Sequence, residues 1–123
     1  MDTNILVAGT FELPGLDLGV ASISWAELEY GVRKAASPIE RAVRESRLRR
    51  LHQLFGEGVP FDDAAVATYG TICGLVLASG RDVRGRALDL MIAATAAAND
   101  AAVVTLNPKD FVGLEGFVEV IGL

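Results

Sequence analysis

The chain has 123 residues, 51% hydrophobic and 22% charged, a composition that suits one globular core and excludes a disordered or collagen-like chain. One cysteine, Cys73, and one histidine, His52, exclude an intrachain disulfide and any cysteine- or histidine-built zinc centre. A formal net charge of -5 argues against a protein that grips nucleic acid with its whole surface.

The chain opens Met-Asp-Thr-Asn, with neither a basic n-region nor a cleavable apolar run, so no signal peptide is expected. Residues 20–23 read as a strand, and Ser24 opens a helix with Leu28 and Val32 on one face. Residues 40–55 form a helix with Val43, Leu48, Leu51 and Phe55 on one side; His52 falls on its polar edge. Asp62 caps a long helix through Ser79, with Val66, Tyr69, Cys73, Val76 and Leu77 inward and Gly80 as its stop. Residues 87–98 form an alanine-rich helix suited to close packing, and residues 102–105 a short buried strand. Residues 108–111 form one helical turn, and residues 117–121 a final strand. The longest apolar stretch, residues 88–98, contains Asp89 and is too short to span a bilayer, so no membrane role is expected and a reducing cytoplasm is the default location. Strands alternating with helices, without repeats or linkers, predict an α/β fold: one domain over residues 1–123, a parallel twisted sheet flanked by helices.

Charge is unevenly spread. Residues 1–32 carry five acids and no base, whereas residues 33–50 carry seven bases against two acids. A second basic block holds Arg81, Arg84 and Arg86. Two readings stay open: a solvated helix face, or a phosphate-binding rim beside an acidic, metal-holding pocket.

In open α/β sheets, ligands bind at the carboxyl ends of the strands. Glu27 lies one turn into the helix after a strand, Asp89 in the first turn of the helix before another, and Asp110 just beyond that second strand. Like charges ~4 Å apart repel by about 4 kcal/mol at an effective dielectric of 20, so converging carboxylates call for a cation. All-oxygen ligands select a hard ion, Mg²⁺ or Mn²⁺. Structural alternatives stand beside each acid. Ser24-x-x-Glu27 is also a capping box, Asp89 a helix-dipole partner, and Asp110 a cap for its turn. Asp62 and Asp63 read as capping acids, Glu29 as solvent-facing, and Trp25 equally as core or as partner surface.

Five blocks carry a resemblance: Asp2-Thr3-Asn4-Ile5-Leu6; Ser24-Trp25-Ala26-Glu27-Leu28-Glu29-Tyr30-Gly31-Val32; Pro60-Phe61-Asp62; Asp89-Leu90-Met91-Ile92-Ala93-Ala94-Thr95-Ala96; and Val104-Thr105-Leu106-Asn107-Pro108-Lys109-Asp110-Phe111. In this order the chain resembles the PIN-domain ribonucleases, and within them the VapC toxins of bacterial toxin–antitoxin pairs. The resemblance implies a metal-dependent endoribonuclease. Asp2, Glu27 and Asp89 would be the core metal-site acids and Asp110 a more variable fourth, with Asn4, Thr105 and Asn107 in support. It also implies a VapB-like antitoxin partner, a homodimer, and contact with DNA only through the antitoxin. Two features depart from the family pattern: only Met1 precedes Asp2, where a hydrophobic strand is usual, and Leu106 stands where arginine is common. A displaced Asp2 would leave a catalytically incomplete module that still binds an antitoxin-type partner. A phosphatase or DNA nuclease with the same acids is a third reading.

Overall fold

The computed structural model describes residues 5–8, 18–105 and 107–122, so Asp2, Asn4 and Leu106 lie outside the described residues. Its elements run β1 (Ile5–Ala8), β2 (Leu18–Gly19), α1 (Ser22–Arg33), α2 (Pro38–Phe55), α3 (Asp63–Ala78), α4 (Ala87–Ala98), β3 (Ala102–Thr105), a 3₁₀ turn (Pro108–Phe111) and β4 (Val120–Gly122). The α/β expectation holds, but the sheet, ordered β2-β1-β3-β4, is mixed rather than wholly parallel. β3 and β4 run parallel, whereas β1 is antiparallel to both β2 and β3. Connection length accounts for part of this. A parallel pair needs a crossover of a dozen or more residues, which the stretch between β3 and β4 supplies and the shorter one between β1 and β2 does not. Among the described residues no helix is long and apolar enough to cross a membrane.

The strand expected at residues 20–23 is displaced towards the N-terminus. β2 ends at Gly19, Ala21 forms a lone parallel bridge with Val59, and α1 has already begun at Ser22. The Ser22 N–H donates to the Val59 carbonyl (2.8 Å), and the Val59 N–H donates to that of Val20 (2.9 Å). That pairing stops the extended segment, and Ile23 reaches the core from the first helical turn instead. Gly58 makes this approach feasible. A Cβ there would lie 2.5 Å from Ser22 Oγ, 2.7 Å from Trp25 Cδ1 and 2.9 Å from Ser22 Cα. Gly58→Ala must push α1 away from the 56–60 loop and is expected to cost about 1–3 kcal/mol, read as a lowered denaturant midpoint with a shifted Trp25 emission. An unchanged midpoint would show that the loop yields freely.

The capping box lies at α2 rather than at α1. Ser37 Oγ accepts from the Glu40 N–H (3.1 Å), the Glu40 carboxylate accepts from the Ala36 N–H (3.2 Å), and Pro38 occupies the first turn. α2 therefore starts at Pro38, ahead of the expected residue 40. Leu48, Leu51 and Phe55 face inward as expected, but Val43 is exposed. Asp62 caps α3, accepting from the Ala65 N–H at 3.0 Å. Its inward stripe is Ala65, Tyr69, Ile72 and Val76, with Cys73 half-buried beside it; Val66 and Leu77 sit one position too far round and face solvent.

Two apolar clusters meet around α4. Ile72, Leu90, Ile92, Val103, Phe111 and Leu114 pack between α3, α4, β3 and the 3₁₀ turn. Val20, Trp25, Val32 and Leu48 pack between α1 and α2. Ala93, Ala94 and Ala96 are fully buried, which lets α4 approach its neighbours closely. Trp25 is thus a core residue, and the His52 ring, on an exposed residue, stacks on it with centroids 3.8 Å apart.

Candidate metal centre

Glu27 comes from the second turn of α1 and Asp89 from the first turn of α4. The capping-box alternative for Glu27 falls away, because α1 begins at Ser22 and Ser24 is already inside the helix. Ser24 is fully buried and shares a helix face with Glu27, three residues on. Asp89 is buried at 7% exposure among apolar neighbours, with Leu90 and Ile92 wholly enclosed.

Three oxygens on these side chains, Ser24 Oγ, Glu27 Oε1 and Asp89 Oδ1, are buried with no hydrogen-bond partner among the described residues. Buried polar groups are normally satisfied, so such a set is a candidate binding site. The electrostatics agree. Burial, and next the negative charge of Asp110, push the Asp89 carboxyl up to about 6, against a smaller opposing pull from the Arg86 guanidinium. Glu27 is also raised, first by burial and then by the charge of Asp89. The three acids therefore lie within electrostatic reach of one another in the order Glu27, Asp89, Asp110. Carboxylates raised by burial and by a neighbouring like charge are characteristic of functional sites. Among the described residues, however, no three acidic, histidine or cysteine side chains close on a single point at metal-ligand range.

Asp110 is placed by the end of β3. Thr105 Oγ1, on an almost fully buried residue, accepts from the Asn107 N–H at 2.9 Å, and the Asp110 N–H donates to the Asn107 carbonyl at 3.0 Å. Phe111, fully buried, pins the turn from below. Arg86 clamps it from the side, donating to the carbonyls of Asp110 and Val112, both at 3.1 Å. Through these bonds the Thr105 hydroxyl and the Asn107 backbone brace the turn.

Sequence reasoning misses two residues here. Ser24 reads as a helix cap, although a polar residue between Ile23 and Trp25 is itself a signal. Arg86 reads as part of a basic block, but that block is structural: Arg86 and Arg81 hold the 110–112 turn, and Arg84 pairs with Asp82 at 3.1 Å. Glu29 is exposed, as expected, and pairs with Arg33 at 2.7 Å.

A PIN-domain family model matches residues 1–114. No curated protein matches the chain. Among solved structures, it resembles a crystal structure of a member of the VapBC family of toxin–antitoxin systems, VapBC-5, from Mycobacterium tuberculosis. That match has 34% identity and a TM-score of 0.76 and covers 85% of this chain and 81% of that one. FitAcB from Neisseria gonorrhoeae matches at 30% identity and TM-score 0.73, covering 86% of this chain and 75% of that one. VapBC2 from Rickettsia felis, bound to a DNA fragment from their promoter, matches at 26% identity and TM-score 0.67, covering 85% and 72%. With the family model spanning nearly the whole sequence and the fold agreeing with it, this chain belongs to the PIN-domain family.

Proposed function

We propose that this chain is a metal-dependent endoribonuclease and the toxin of a toxin–antitoxin pair, one domain spanning residues 1–123 and acting in the cytoplasm. The observation that carries this is the pair Glu27 and Asp89, each with a buried oxygen that has no hydrogen-bond partner among the described residues. Its neighbours in structure support the toxin assignment, since two of them are VapBC systems. By analogy, the partners are a VapB-like antitoxin and a second copy of the chain, with promoter DNA reached only through the antitoxin.

The donor set fits a hard divalent ion. It is all oxygen, and it contains carboxylate atoms with no partner among the described residues. Glu27 and Asp89 would hold Mg²⁺ or Mn²⁺, with Asp110 at the rim. Asp2 and Asn4 join this set from the resemblance; they stand just ahead of Ile5, which pairs with Thr105. When bound, the ion supplies Lewis-acid polarisation of the scissile phosphate and activation of water. The chain's own contribution is preorganisation. Asp89 is fixed at a helix start among buried apolar groups, and Thr105, Asn107 and Arg86 fix the turn carrying Asp110.

A second reading is a binding module without catalysis, which requires that Asp2 not join Glu27 and Asp89. A single assay separates the two. Purified, partner-free chain is incubated with RNA in Mg²⁺, in Mn²⁺ and in EDTA, beside Asp89→Asn. Metal-dependent cutting that falls by about 100-fold or more in the variant is the expected result, since even supporting residues of metal sites are worth roughly 10–100-fold. A folded wild-type sample that cuts in no condition would favour the inert module.

A further inference from the structure

A hydroxyl inside a helix often turns back onto its own backbone, and three in this chain do. Thr68, Thr71 and Thr95 each donate to the carbonyl four residues earlier, at 3.0, 3.3 and 2.8 Å. Ser24, in the first turn of α1 and fully buried, does not. The carbonyl four residues before it is that of Val20, which lies ahead of the helix and already accepts from the Val59 N–H at 2.9 Å. The carbonyl three residues before it, on Ala21, accepts from the Trp25 N–H at 3.1 Å. The pairing with the 56–60 loop, which sets where α1 starts, thus buries the Ser24 hydroxyl beside local acceptors that are already engaged.

The buried oxygens of the site then divide by chemistry. Ionised carboxylates only accept, so a cation can satisfy Glu27 Oε1 and Asp89 Oδ1. The Ser24 hydroxyl carries a proton, which a cation cannot take. It needs an acceptor, and Glu27 is the acid of the site on its own helix, one turn on and on the same face. Glu27 gains from such a donor. Burial and the Asp89 charge hold its carboxyl above the ordinary range, and a hydrogen bond to the ionised form offsets both. A carboxylate has lone pairs enough to accept this bond on one side and face an ion on the other.

We propose that Ser24 is the positioning residue of Glu27: its hydroxyl donates to the carboxylate and holds that side chain in the orientation that meets the ion. Ser24 acts through Glu27 and does not touch the metal. The proposal rests on the metal-site reading, which the wild-type titration below checks separately.

Mn²⁺ is titrated calorimetrically into the metal-free chain, and melting temperatures are recorded in EDTA. Ser24→Ala is expected to weaken Mn²⁺ binding about 10- to 100-fold, the range for a group that orients a metal ligand. Its melting temperature in EDTA should equal or exceed that of wild type, since removing a buried hydroxyl without a partner forfeits no bond in the metal-free fold. Ser24→Thr keeps the hydroxyl and should restore most of the affinity. Thr95→Ala removes a buried hydroxyl that is bonded, and should do the reverse: a lower melting temperature with Mn²⁺ affinity unchanged. Wild-type affinity in Ser24→Ala would overturn the proposal. A Ser24→Ala melting temperature well below that of wild type in EDTA would also overturn it, making the hydroxyl part of the fold. Equal losses of affinity in Ser24→Ala and in a folded Ser24→Thr would do the same, assigning the effect to packing. A wild-type chain that binds no Mn²⁺ would remove the metal site itself, and the role of Ser24 with it.

Discussion

Asp89→Asn is expected to make the metal-free protein more stable while abolishing its response to divalent metal. The reason is the cost of charging a buried carboxyl, one of whose oxygens has no hydrogen-bond partner among the described residues. Its ordinary value is 3.8, and burial with the neighbouring Asp110 charge pushes it up to about 6 in the folded chain. The folded state therefore holds this proton more tightly than the unfolded state does. Stability from this group is fully present below about pH 4 and is lost as pH rises through about 6. At about 1.4 kcal/mol per unit, and discounted for partial solvent access, the loss at neutral pH and above is on the order of 2 kcal/mol. Glu27 shifts in the same direction, from burial and from the Asp89 charge, and steepens the trend. The amide in the variant carries no charge, so its stability should vary less between about pH 4 and pH 7 and exceed that of wild type at about pH 8. Added Mg²⁺ or Mn²⁺ should raise the wild-type melting temperature and leave the variant's unmoved. Thermal melts at about pH 4.5 and pH 8, with and without metal, test this directly. A variant less stable than wild type at the higher pH, with its metal response intact, would make Asp89 a structural residue and move the site elsewhere.

Phe111→Ala is expected to cost about 3–5 kcal/mol, the usual range for emptying a fully buried aromatic site. Phe111 is fully enclosed within the cluster formed by Ile72, Leu90, Val103 and Leu114. Domains of this size are stable by only about 5–15 kcal/mol, so the variant should be marginal at room temperature. The same residue holds the turn that positions Asp110, with Arg86 bonded to the carbonyls on either side of Phe111. Phe111→Leu keeps most of the volume and should cost less than about 1.5 kcal/mol. Urea denaturation of both variants gives the comparison. A Phe111→Ala loss below about 1 kcal/mol would mean the surrounding residues close the cavity, and Phe111 would then not anchor the turn.

Local chemistry makes several elements legible. The span of α4 and of β3 agrees with the reading from residues, because an alanine-rich run ended by Asn99-Asp100 and followed by Ala-Val-Val-Thr has one sensible division. Asp62 announces the start of α3, and Pro108 announces the short turn at 108–111. The junction of β2 and α1 is not legible in the same way, because what ends that extended segment is a bridge from Ala21 to Val59, far along the chain. Val43, Val66 and Leu77 are expected inside and lie outside. A helical period orders a stripe, but the neighbouring helix chooses where its centre falls.

The candidate site divides in the same manner. Residue order alone establishes the α/β class, the lone cysteine that rules out an intrachain disulfide, the kinds of acid available, and their succession along the chain, which carries the family resemblance. The antiparallel setting of β1 emerges only on folding, as does the commitment of Arg81 and Arg86 to the turn beside Asp110. So does the burial of oxygens on Ser24, Glu27 and Asp89 that have no partner among the described residues. Periodicity along one helix says which residues share a face; how strongly a carboxylate is desolvated, and which charge it meets, depends on groups that another element brings alongside. For Asp89 the pull of Arg86 is local, from the N-cap of its own helix, but the charge of Asp110 arrives only with the packing of α4 against β3 and the following turn.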